Sequence, residues 1–339
     1  MDASEQCCPN EACSARGKRG AGTLSIPGRK RPRYKCQSGK KTLSARKGTF
    51  FEGLRTEEEK VTMVVTFLSY GCPLQAIVPA FGLDERTVAA WQKRVGEQCQ
   101  RVHIALVEAG KVKSQQIQAD EIRAKGRKII VWMALAMDVT TRLWLAGTVS
   151  QHRDHTLIDR LLQHARVCCQ FVQGLLVSTD GFAAYPKRSV RAFREKVKKQ
   201  AGRGRCALEA WPDLCLATVI KPTKKKSGVE ITRKVARGTH EKAKELLLLT
   251  KGGTEFNPAF SERLNRTFRE RLASLTRTCR HAAARMETLE AGMDLIGCTS
   301  TFCFPHQEWS NKAYVGGPTT PAMAAALTGH VWGRRELLM

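Results

Sequence analysis

The stretch IIVWMALAMDVTTRLWLAGTV, residues 129–149, decides the fold of this chain. Two apolar runs rich in branched and aromatic side chains flank the polar segment Asp138–Arg142, a pattern that predicts two strands joined by a turn. Segments of strand or helix character surround this pair in order: strand QQIQADEI (115–122), helix HTLIDRLLQHA (155–165), strand LLVSTD (175–180) and strand LCLATVIK (214–221). The alternation of strands with helices predicts an open sheet of the α/β class.

A last helix is predicted within NPAFSERLNRTFRERLASL, residues 257–275. Asn257 is a suitable N-cap and Pro258 fits the first helical position. Apolar side chains then recur at helical spacing and predict a buried stripe. They are Leu264, Phe268, Leu272 and Leu275.

A polar face of the same helix carries Glu262, Asn265 and Arg269, about 100° from the apolar stripe. One interpretation is a solvated face on which Glu262 pairs with Arg266, an effect of about 0.3 kcal/mol. In the catalytic interpretation, Asn265 and Arg269 orient Glu262 and hold a scissile DNA strand. Arg266 is then a further candidate for DNA contact.

Three carboxylates at strand ends and at a helix start form the main functional pattern. Asp120 lies in or at the end of the first strand, Asp180 ends a later strand, and Glu262 begins the last helix. If the first strand lies at the centre of the sheet beside the strand that ends at Asp180, these acids converge and repel unless a hard dication lies among them. Two Mg²⁺ or Mn²⁺ ions about 3.5–4 Å apart would serve phosphodiester cleavage. Taken singly, Asp120 beside Glu121 also fits a solvated edge, and Asp180 before Gly181 also fits a turn.

The composition predicts a polyanionic partner. The 339 residues carry a formal net charge of +26, and each phosphate that Lys or Arg neutralises releases counterions. Twelve basic residues and no acid lie in 16–47, and thirteen basic residues against three acids lie in 187–226. The second block includes Lys224, Lys225 and Lys226, which we expect to contact the DNA backbone irrespective of sequence. Double-stranded DNA is the predicted partner, because an aromatic content of 6% offers little stacking surface for single-stranded RNA.

Location follows from what the sequence lacks. No apolar run approaches the roughly 20 residues that span a bilayer, and MDASEQCCPNEAC has none of the regions of a signal peptide. We therefore expect a cytoplasmic, nucleoid-associated protein with no membrane partner. Thirteen cysteines in such a chain predict reduced thiols and a metal site rather than disulfides.

The cysteines near the start of the chain predict a zinc-ribbon-like module. Cys8 and Cys13 form one knuckle and Cys36 belongs to a second, around a basic loop, whereas a zinc ribbon supplies four tetrahedral ligands. Gly39 stands where the fourth cysteine belongs. Three thiolates would need Cys7 or a water to complete the site, so the sequence leaves Zn²⁺ binding open.

The segment PLQAIVPAFGLDERTVAAWQKRV, residues 73–95, has the pattern of a helix-turn-helix. Asp84 caps the second helix after a Gly82-Leu83 turn, and Pro79 is expected to kink the first. In the second helix the predicted inward residues are Val88, Trp91 and Val95. The candidates for contact with the major groove and its backbone are Arg86, Thr87, Lys93 and Arg94. An ordinary helical hairpin is the alternative.

Motifs along nearly the whole chain resemble those of the DDE transposases of bacterial insertion sequences, and most of all the insertion-sequence-one-like group. They are CPNEAC, YKCQSGKKTLSARKGTFF, GCPLQAIVPAFGLDERTVAAWQ, ADEI, TRLWLAG, STDGFAAY, FSERLNRTFRERLASLTR and TPAMAAALTGHVW. The resemblance implies an RNase H-like catalytic domain whose metal ligands are Asp120, Asp180 and Glu262. It also implies that Asn265 and Arg269 complete an E-x-x-N-x-x-x-R pattern.

The domain prediction that follows is a zinc-ribbon-like basic module (1–50), a helix-turn-helix domain (51–112), a catalytic domain (113–310) with a basic insertion at about 187–240, and a C-terminal extension (311–339). The expected activity is metal-dependent cleavage at element ends, followed by transfer of the 3′ hydroxyl into target DNA. A homo-oligomer on DNA is expected, because two ends must be brought together.

Three features depart from the family pattern, namely Gly39, Pro79 and the stretch TFCFPHQEW. Gly39 and Pro79 both fall in the predicted DNA-reading half, whereas all three catalytic acids are present. The alternative function is therefore a catalytically inactive, decayed transposase that acts as a DNA-binding regulator.

Overall fold

The computed structural model describes residues 8, 10, 12–15, 24–25, 33–40, 42–44, 46–125, 130–197, 206–220, 231–275, 285–310 and 317–339. A six-stranded sheet forms the centre of a mixed α/β fold. In spatial order its strands are β11 (Thr232–Arg237), β10 (Leu214–Ile220), β7 (Leu175–Asp180), β4 (Gln116–Lys125), β5 (Ile130–Asp138) and β6 (Trp144–Ser150).

The strand directions make this a mixed sheet. β4, β5 and β6 form an antiparallel meander, β7 runs parallel to β4, β10 runs parallel to β7, and β11 is antiparallel to β10. This arrangement confirms the predicted strands and is consistent with the RNase H-like domain that the resemblance implies. The range predicted as a basic insertion contributes two of the six strands, β10 and β11.

The turn between β5 and β6 forms as the sequence predicts. Asp138 is fully buried, and its Oδ2 accepts hydrogen bonds from the Thr141 amide at 2.7 Å and the Thr141 hydroxyl at 2.6 Å. Its Oδ1 accepts from the Ser114 hydroxyl at 2.6 Å. Burial raises the pKa of Asp138, and these hydrogen bonds to the carboxylate act against that rise. The strand pair is thus closed by one aspartate.

Helices cover the sheet and place the last predicted helix beside its centre. They are α4 (His155–Cys168), α5 (Ala184–Ala192), α6 (His240–Leu249), α7 (Ala259–Arg271) and α8 (Met286–Phe302). α4 packs against β5 and β6, α6 against β7 and β10, and α7 against β4 and β5. α7 is the helix expected to carry Glu262.

The predicted apolar stripe extends past the end of α7, which corrects the sequence prediction. The α-helix stops at Arg271, and Leu272 is extended, with φ −110° and ψ 101°. Leu275 lies in a separate 3₁₀ turn, Ala273–Leu275. Both leucines are nevertheless buried, because the chain turns back onto the same core. Pro258, rather than Asn257, occupies the N-cap position, and Asn257 Oδ1 accepts from the Ala259 amide at 3.1 Å.

Three helices precede the sheet: α1 (Glu58–Ser69), α2 (Leu74–Phe81) and α3 (Glu85–His103). The Asp84 side chain accepts from the Arg86 amide at 2.8 Å, so the predicted cap forms. Gly82, at φ 57°, ends α2 in the left-handed conformation that glycine favours. Pro79 lies inside α2. The inward residues predicted for α3 are all buried, namely Val88, Trp91 and Val95.

These helices share one hydrophobic core with the sheet. α3 packs along α8, and α8 packs against β6. A Cβ on Gly96 would lie 2.5 Å from the Cα of Ala291, so α3 and α8 cross in backbone contact. The predicted helical and catalytic domains are therefore packed together through α8.

Smaller elements complete the described chain. β1 (Leu24–Ser25), β2 (Arg33–Cys36) and β3 (Thr42–Ser44) form an antiparallel sheet, and β8 (Arg194–Val197) pairs with β9 (Ala207–Ala210). A π-helical turn (Ile104–Glu108) follows α3, and α9 (Gln307–Ser310), α10 (Pro321–Ala324) and α11 (Arg334–Leu337) are single turns. Among the described helices, none is long and apolar enough to cross a bilayer.

Replacing Gly297 with alanine is expected to destabilise the protein by about 2 kcal/mol, despite the higher helix propensity of alanine. A Cβ at this position on α8 would lie 2.3 Å from Cε3 of Trp144, a buried residue of β6. Denaturant unfolding measures the change. Gly329→Ala is the matched control, since nothing lies within 4 Å of its Cβ, and equal effects of the two substitutions would contradict the packing argument.

Candidate active site

Asp120 and Asp180 lie side by side on the two central parallel strands. Ala119 of β4 pairs with Thr179 of β7, so the next residue on each strand is an aspartate. Carboxylate oxygens of Asp120, Glu121 and Asp180 lie within 4.8 Å of one another. The sequence therefore placed these two aspartates together correctly, although Asp120 lies within its strand rather than at its end.

Asp120 is held at both oxygens and is largely buried. Its Oδ1 accepts from the Glu121 amide at 2.8 Å, and its Oδ2 accepts from Nδ2 of Asn265 at 2.8 Å. Burial raises the pKa of Asp120 to about 7, and the charges of Glu121, Asp180 and Glu262 add to this effect. A divalent cation among these oxygens would remove the repulsion, and carboxylate oxygens are the ligands that Mg²⁺ and Mn²⁺ prefer. The residues present therefore fit such an ion.

Glu121 and Asp180 share one arginine. Arg153 donates from Nη2 to Glu121 Oε2 at 2.7 Å and to Asp180 Oδ2 at 2.9 Å. Asp180 Oδ1 accepts from the Phe182 amide at 3.0 Å. Burial raises the pKa of Glu121, and Arg153 acts in the opposite direction. The alternative in which Asp120, beside Glu121, lies on a solvated edge is wrong, because β4 lies between β7 and β5 in the sheet and the Glu121 side chain is fully buried.

α7 is anchored to β4 by a glutamine that the sequence analysis did not identify. Gln118 Oε1 accepts from the amides of Phe260 and Ser261 at 3.1 and 3.0 Å, and its Nε2 donates to the Asn257 carbonyl at 2.9 Å. Three contacts from one buried side chain thus satisfy backbone groups at the start of the helix. Since Gln118 lies two residues before Asp120 on the same strand face, it fixes α7 next to that carboxylate.

The predicted residues of α7 divide into buried and exposed groups. Asn265 is 3% exposed, contacts Asp120, and has its Oδ1 buried with no hydrogen-bond partner in the described part of the chain. Arg269 is half-buried one turn later. Glu262 is exposed and contributes to the raised pKa of Asp120, but it lies outside the group of oxygens within 4.8 Å of one another. The structure therefore brings Asn265 into contact with Asp120.

Arg266 lies on the exposed face of α7. Its Nε donates to Oε1 of Glu270 at 2.7 Å, one turn onward. Arg266 is therefore paired with Glu270 on this face. Arg263 is also exposed, so this face of α7 offers two arginines to solvent beside the acids.

The candidates on α3 differ in their surroundings. Arg86 and Lys93 are exposed, and Thr87 is half-buried. Arg94 donates from Nη2 to the Glu52 carbonyl at 2.6 Å, and its guanidinium carbon lies 5.5 Å from the ring centroid of Phe50. Arg94 thus connects α3 to the turn at Phe50–Glu52, which precedes α1. The predicted DNA contacts Lys224, Lys225 and Lys226 lie outside the described residues.

Three thiols form a second cluster in the small N-terminal sheet. Sulfur atoms of Cys8, Cys13 and Cys36 lie within 4.8 Å of one another, and all three residues are buried. The Gly39 amide donates to Cys36 Sγ at 3.3 Å and holds the pKa of that thiol below its usual range. A hydrogen bond from the backbone amide of Asn10 lowers the pKa of Cys8, but burial and the neighbouring thiols raise it overall. Three thiolate ligands suit Zn²⁺ and leave one of four positions open. Cys7 lies outside the described residues.

Gly39→Cys is expected to raise Zn²⁺ affinity by at least about 100-fold, because it would add a fourth thiolate. A Cβ at position 39 would lie 3.0 Å from Cys13 Sγ, so the new side chain would start beside the cluster after a small shift of Cys13. Competition with a chromogenic chelator measures the affinity. The matched control is Ser38→Cys at the exposed neighbouring position. Equal gains in both variants would show that the added thiol binds zinc outside this cluster.

Comparisons with known proteins do not assign this chain to a family, so its function is inferred from the geometry of the site. No protein-family model matches the chain, and no curated protein matches it. Among solved structures, the cryo-EM structure of a piggyBac transposase synaptic complex with hairpin DNA is similar over 86% of this chain and 71% of that chain, with 8% identity and a TM-score of 0.38. A likeness this slight carries no argument about family or function.

Proposed function

We propose that this chain is a DNA transposase of the DDE type, of the bacterial insertion-sequence kind, that cleaves and joins DNA strands with divalent metal ions. The observation that carries the proposal is the pairing of Asp120 and Asp180 on adjacent central strands, with Asn265 of α7 bonded to Asp120. The net charge of +26 supports a polyanionic substrate.

The roles of the residues follow from their positions. Asp120 and Asp180 would hold Mg²⁺ or Mn²⁺, with Glu262 approaching from α7 as the third acid. The ions, when bound, supply Lewis-acid stabilisation of charge on the reacting phosphodiester. Asn265 keeps Asp120 Oδ2 directed into the site through the 2.8 Å hydrogen bond. Gln118 keeps α7, and with it Glu262 and Asn265, at a fixed distance from β4.

Substrate binding would use the basic residues around the acids. Arg263 and Arg266 on the exposed face of α7 would contact phosphates, with Arg269 nearer the scissile strand. Arg86 and Lys93 of α3 would read bases, while Lys224, Lys225 and Lys226 would bind backbone irrespective of sequence. In the first step water attacks a phosphodiester and releases a 3′ hydroxyl. In the second, that hydroxyl attacks target DNA and the displaced 3′ oxygen takes up the proton. Bringing two element ends together would require at least two copies.

The test is cleavage of duplex DNA carrying the flanking element ends. Strand breaks with 3′ hydroxyl ends should form with Mg²⁺ or Mn²⁺, and should be absent with EDTA or with Ca²⁺ alone. Joining of the cleaved strand to a second duplex should follow. Tight DNA binding without cleavage under any metal condition would overturn the proposal and favour a DNA-binding regulator.

A further inference from the structure

The Asp180 carboxylate is held by an arginine whose own position is fixed by a second, buried acid. Asp120 contacts α7 through Asn265, while the side chain of the next residue, Glu121, leaves the strand in a different direction and still keeps one oxygen within 4.8 Å of oxygens of Asp120 and Asp180. Glu121 also lies beside Tyr185 of α5, and each residue shifts the pKa of the other. Glu121 Oε1 and the Tyr185 hydroxyl are both buried, and neither has a partner of hydrogen-bond geometry in the described structure.

Arg153 is immobilised on three sides. It lies in the connection between β6 and α4, and both Nε and Nη2 donate to Glu121 Oε2, at 3.1 and 2.7 Å. Its guanidinium carbon lies 4.2 Å from the ring centroid of Phe182 and 5.2 Å from that of Trp132. Two hydrogen bonds to one carboxylate, together with aromatic packing, fix the orientation of a planar guanidinium.

Asp180 is the group that this arrangement orients. Nη2 of Arg153 donates to Asp180 Oδ2 at 2.9 Å, while the Phe182 amide donates to Oδ1 at 3.0 Å. Phe182 therefore acts twice, because its amide holds one oxygen and its ring supports the arginine that holds the other. Neither Glu121 nor Arg153 is part of the D-D-E-N-R set that the resemblance implies.

We propose that Glu121 and Arg153 form a positioning pair that orients Asp180 for metal binding. The proposal rests on the proposed function, since it assigns Asp180 to a metal site. Arg153 acts through Asp180, and Glu121 acts through Arg153. Two other roles for these residues predict different effects on DNA affinity and on Mn²⁺ binding. Arg153 as a phosphate contact would change DNA affinity alone, and Glu121 as a direct metal ligand would act without Arg153.

The experiment is a titration of the full chain with Mn²⁺, followed by electron paramagnetic resonance, which reports binding without any turnover. The parent and Asp180→Asn are compared first, and binding should weaken strongly in the variant. Arg153→Gln and Glu121→Gln should each weaken Mn²⁺ binding by about 10–30-fold, and Arg153→Lys by less. The double variant should bind no more weakly than the poorer single variant, because the two residues act in series. DNA affinity should change by less than about threefold.

Arg188→Gln is the matched control. Arg188 is also half-buried and bonded to one carboxylate, Asp159 at 2.8 Å, but it contacts none of the site acids. Arg188→Gln should leave Mn²⁺ binding unchanged. Thermal unfolding identifies any variant that has lost the fold. If Arg153→Gln has lost the fold, the result for Arg153→Lys is used in its place.

Three other results of the Mn²⁺ titration would each refute a different claim. Unchanged Mn²⁺ binding in folded Arg153→Gln, or in Arg153→Lys where Arg153→Gln has lost the fold, refutes the positioning pair while the proposed function stands. If the losses of Mn²⁺ affinity in the two single variants add in the double variant, Glu121 does not act through Arg153. Glu121 would then be a metal ligand itself. If the parent binds no Mn²⁺ that depends on Asp180, the proposed function and this inference both fail.

Discussion

Replacing Asp120 with asparagine is expected to lower DNA cleavage by at least about 10³-fold while making the metal-free protein more stable at pH 8. The loss of activity follows because an amide offers one neutral oxygen where the carboxylate offers two charged oxygens to a divalent cation. A factor of 10³ corresponds to about 4 kcal/mol of transition-state stabilisation. Single-turnover cleavage of the element-end duplex at saturating Mg²⁺ measures it.

The gain in stability follows from burial of the charge. Burial raises the pKa of Asp120 from its ordinary value of 3.8 to about 7. A carboxyl with a higher pKa in the folded protein than in the unfolded chain opposes folding only when ionised, so this cost is absent below about pH 4 and complete above pH 7. A shift of about three units corresponds to at most about 4 kcal/mol. The single amide oxygen can satisfy only one of the two donors, Asn265 or the Glu121 amide, which offsets about 1–1.5 kcal/mol.

We therefore expect a net gain of about 2 kcal/mol at pH 8 in denaturant unfolding with EDTA present, which turns into a loss of about 1 kcal/mol near pH 4, where only the lost hydrogen bond remains. Asp294→Asn is the matched control. Burial, with the charge of Glu290 adding to it, also raises the pKa of Asp294 to about 7, yet this residue lies on α8, away from the site. It should stabilise the protein with the same pH dependence and leave cleavage within about twofold. Cleavage by Asp120→Asn within tenfold of the parent would remove Asp120 from the proposed metal ligands.

The sheet could be predicted because local patterns encode it. Apolar alternation, one turn and two short buried runs were enough to identify β4, β5, β6, β7 and β10. The convergence of Asp120 and Asp180 was predicted only on the condition that their strands are neighbours, and the pairing of β4 with β7 meets that condition. The end of α7 could not be predicted in the same way, since Leu272 and Leu275 keep the helical spacing of core residues although the chain leaves the helix at Arg271.

The supporting residues of the site were not predictable because their partners are distant in sequence. The sequence around Glu121 is typical of a surface acid, because its partner Arg153 lies 32 positions later in the chain. Gln118 reads as an ordinary polar strand residue, and its role depends on amides 142 and 143 positions away. A weak signal existed for Glu121 only, since two consecutive acids in an apolar strand place one of them on the inner face. The identity of the third acid also depends on tertiary structure, because the oxygens within 4.8 Å of one another belong to Asp120, Asp180 and Glu121, a group that does not include Glu262.

Glu262→Gln is expected to reduce cleavage by at least about 10³-fold with DNA affinity unchanged within about threefold. Glu262 lies in the first turn of α7, and its charge contributes to the raised pKa of Asp120, so it approaches the site although it lies outside the 4.8 Å group. Gln118 and Asn265 hold α7 against β4 at two points, which keeps this acid available beside Asp120. A loss of this size would correspond to about 4 kcal/mol, beyond what a surface carboxylate contributes.

Glu270→Gln on the same helix is the matched control for Glu262→Gln. Glu270 is exposed and paired with Arg266, two turns beyond Glu262, and its loss should change cleavage by less than about threefold. A different result would show that the third metal ligand is Glu121 rather than Glu262. Suppose that Glu262→Gln cleaved DNA normally, and that Glu121→Gln abolished cleavage both in the parent and in the Arg153→Gln variant. The catalytic acids would then all belong to β4 and β7. In that case α7 would contribute only Asn265 and its arginines, and Glu262 would be a surface acid of a DNA-binding helix.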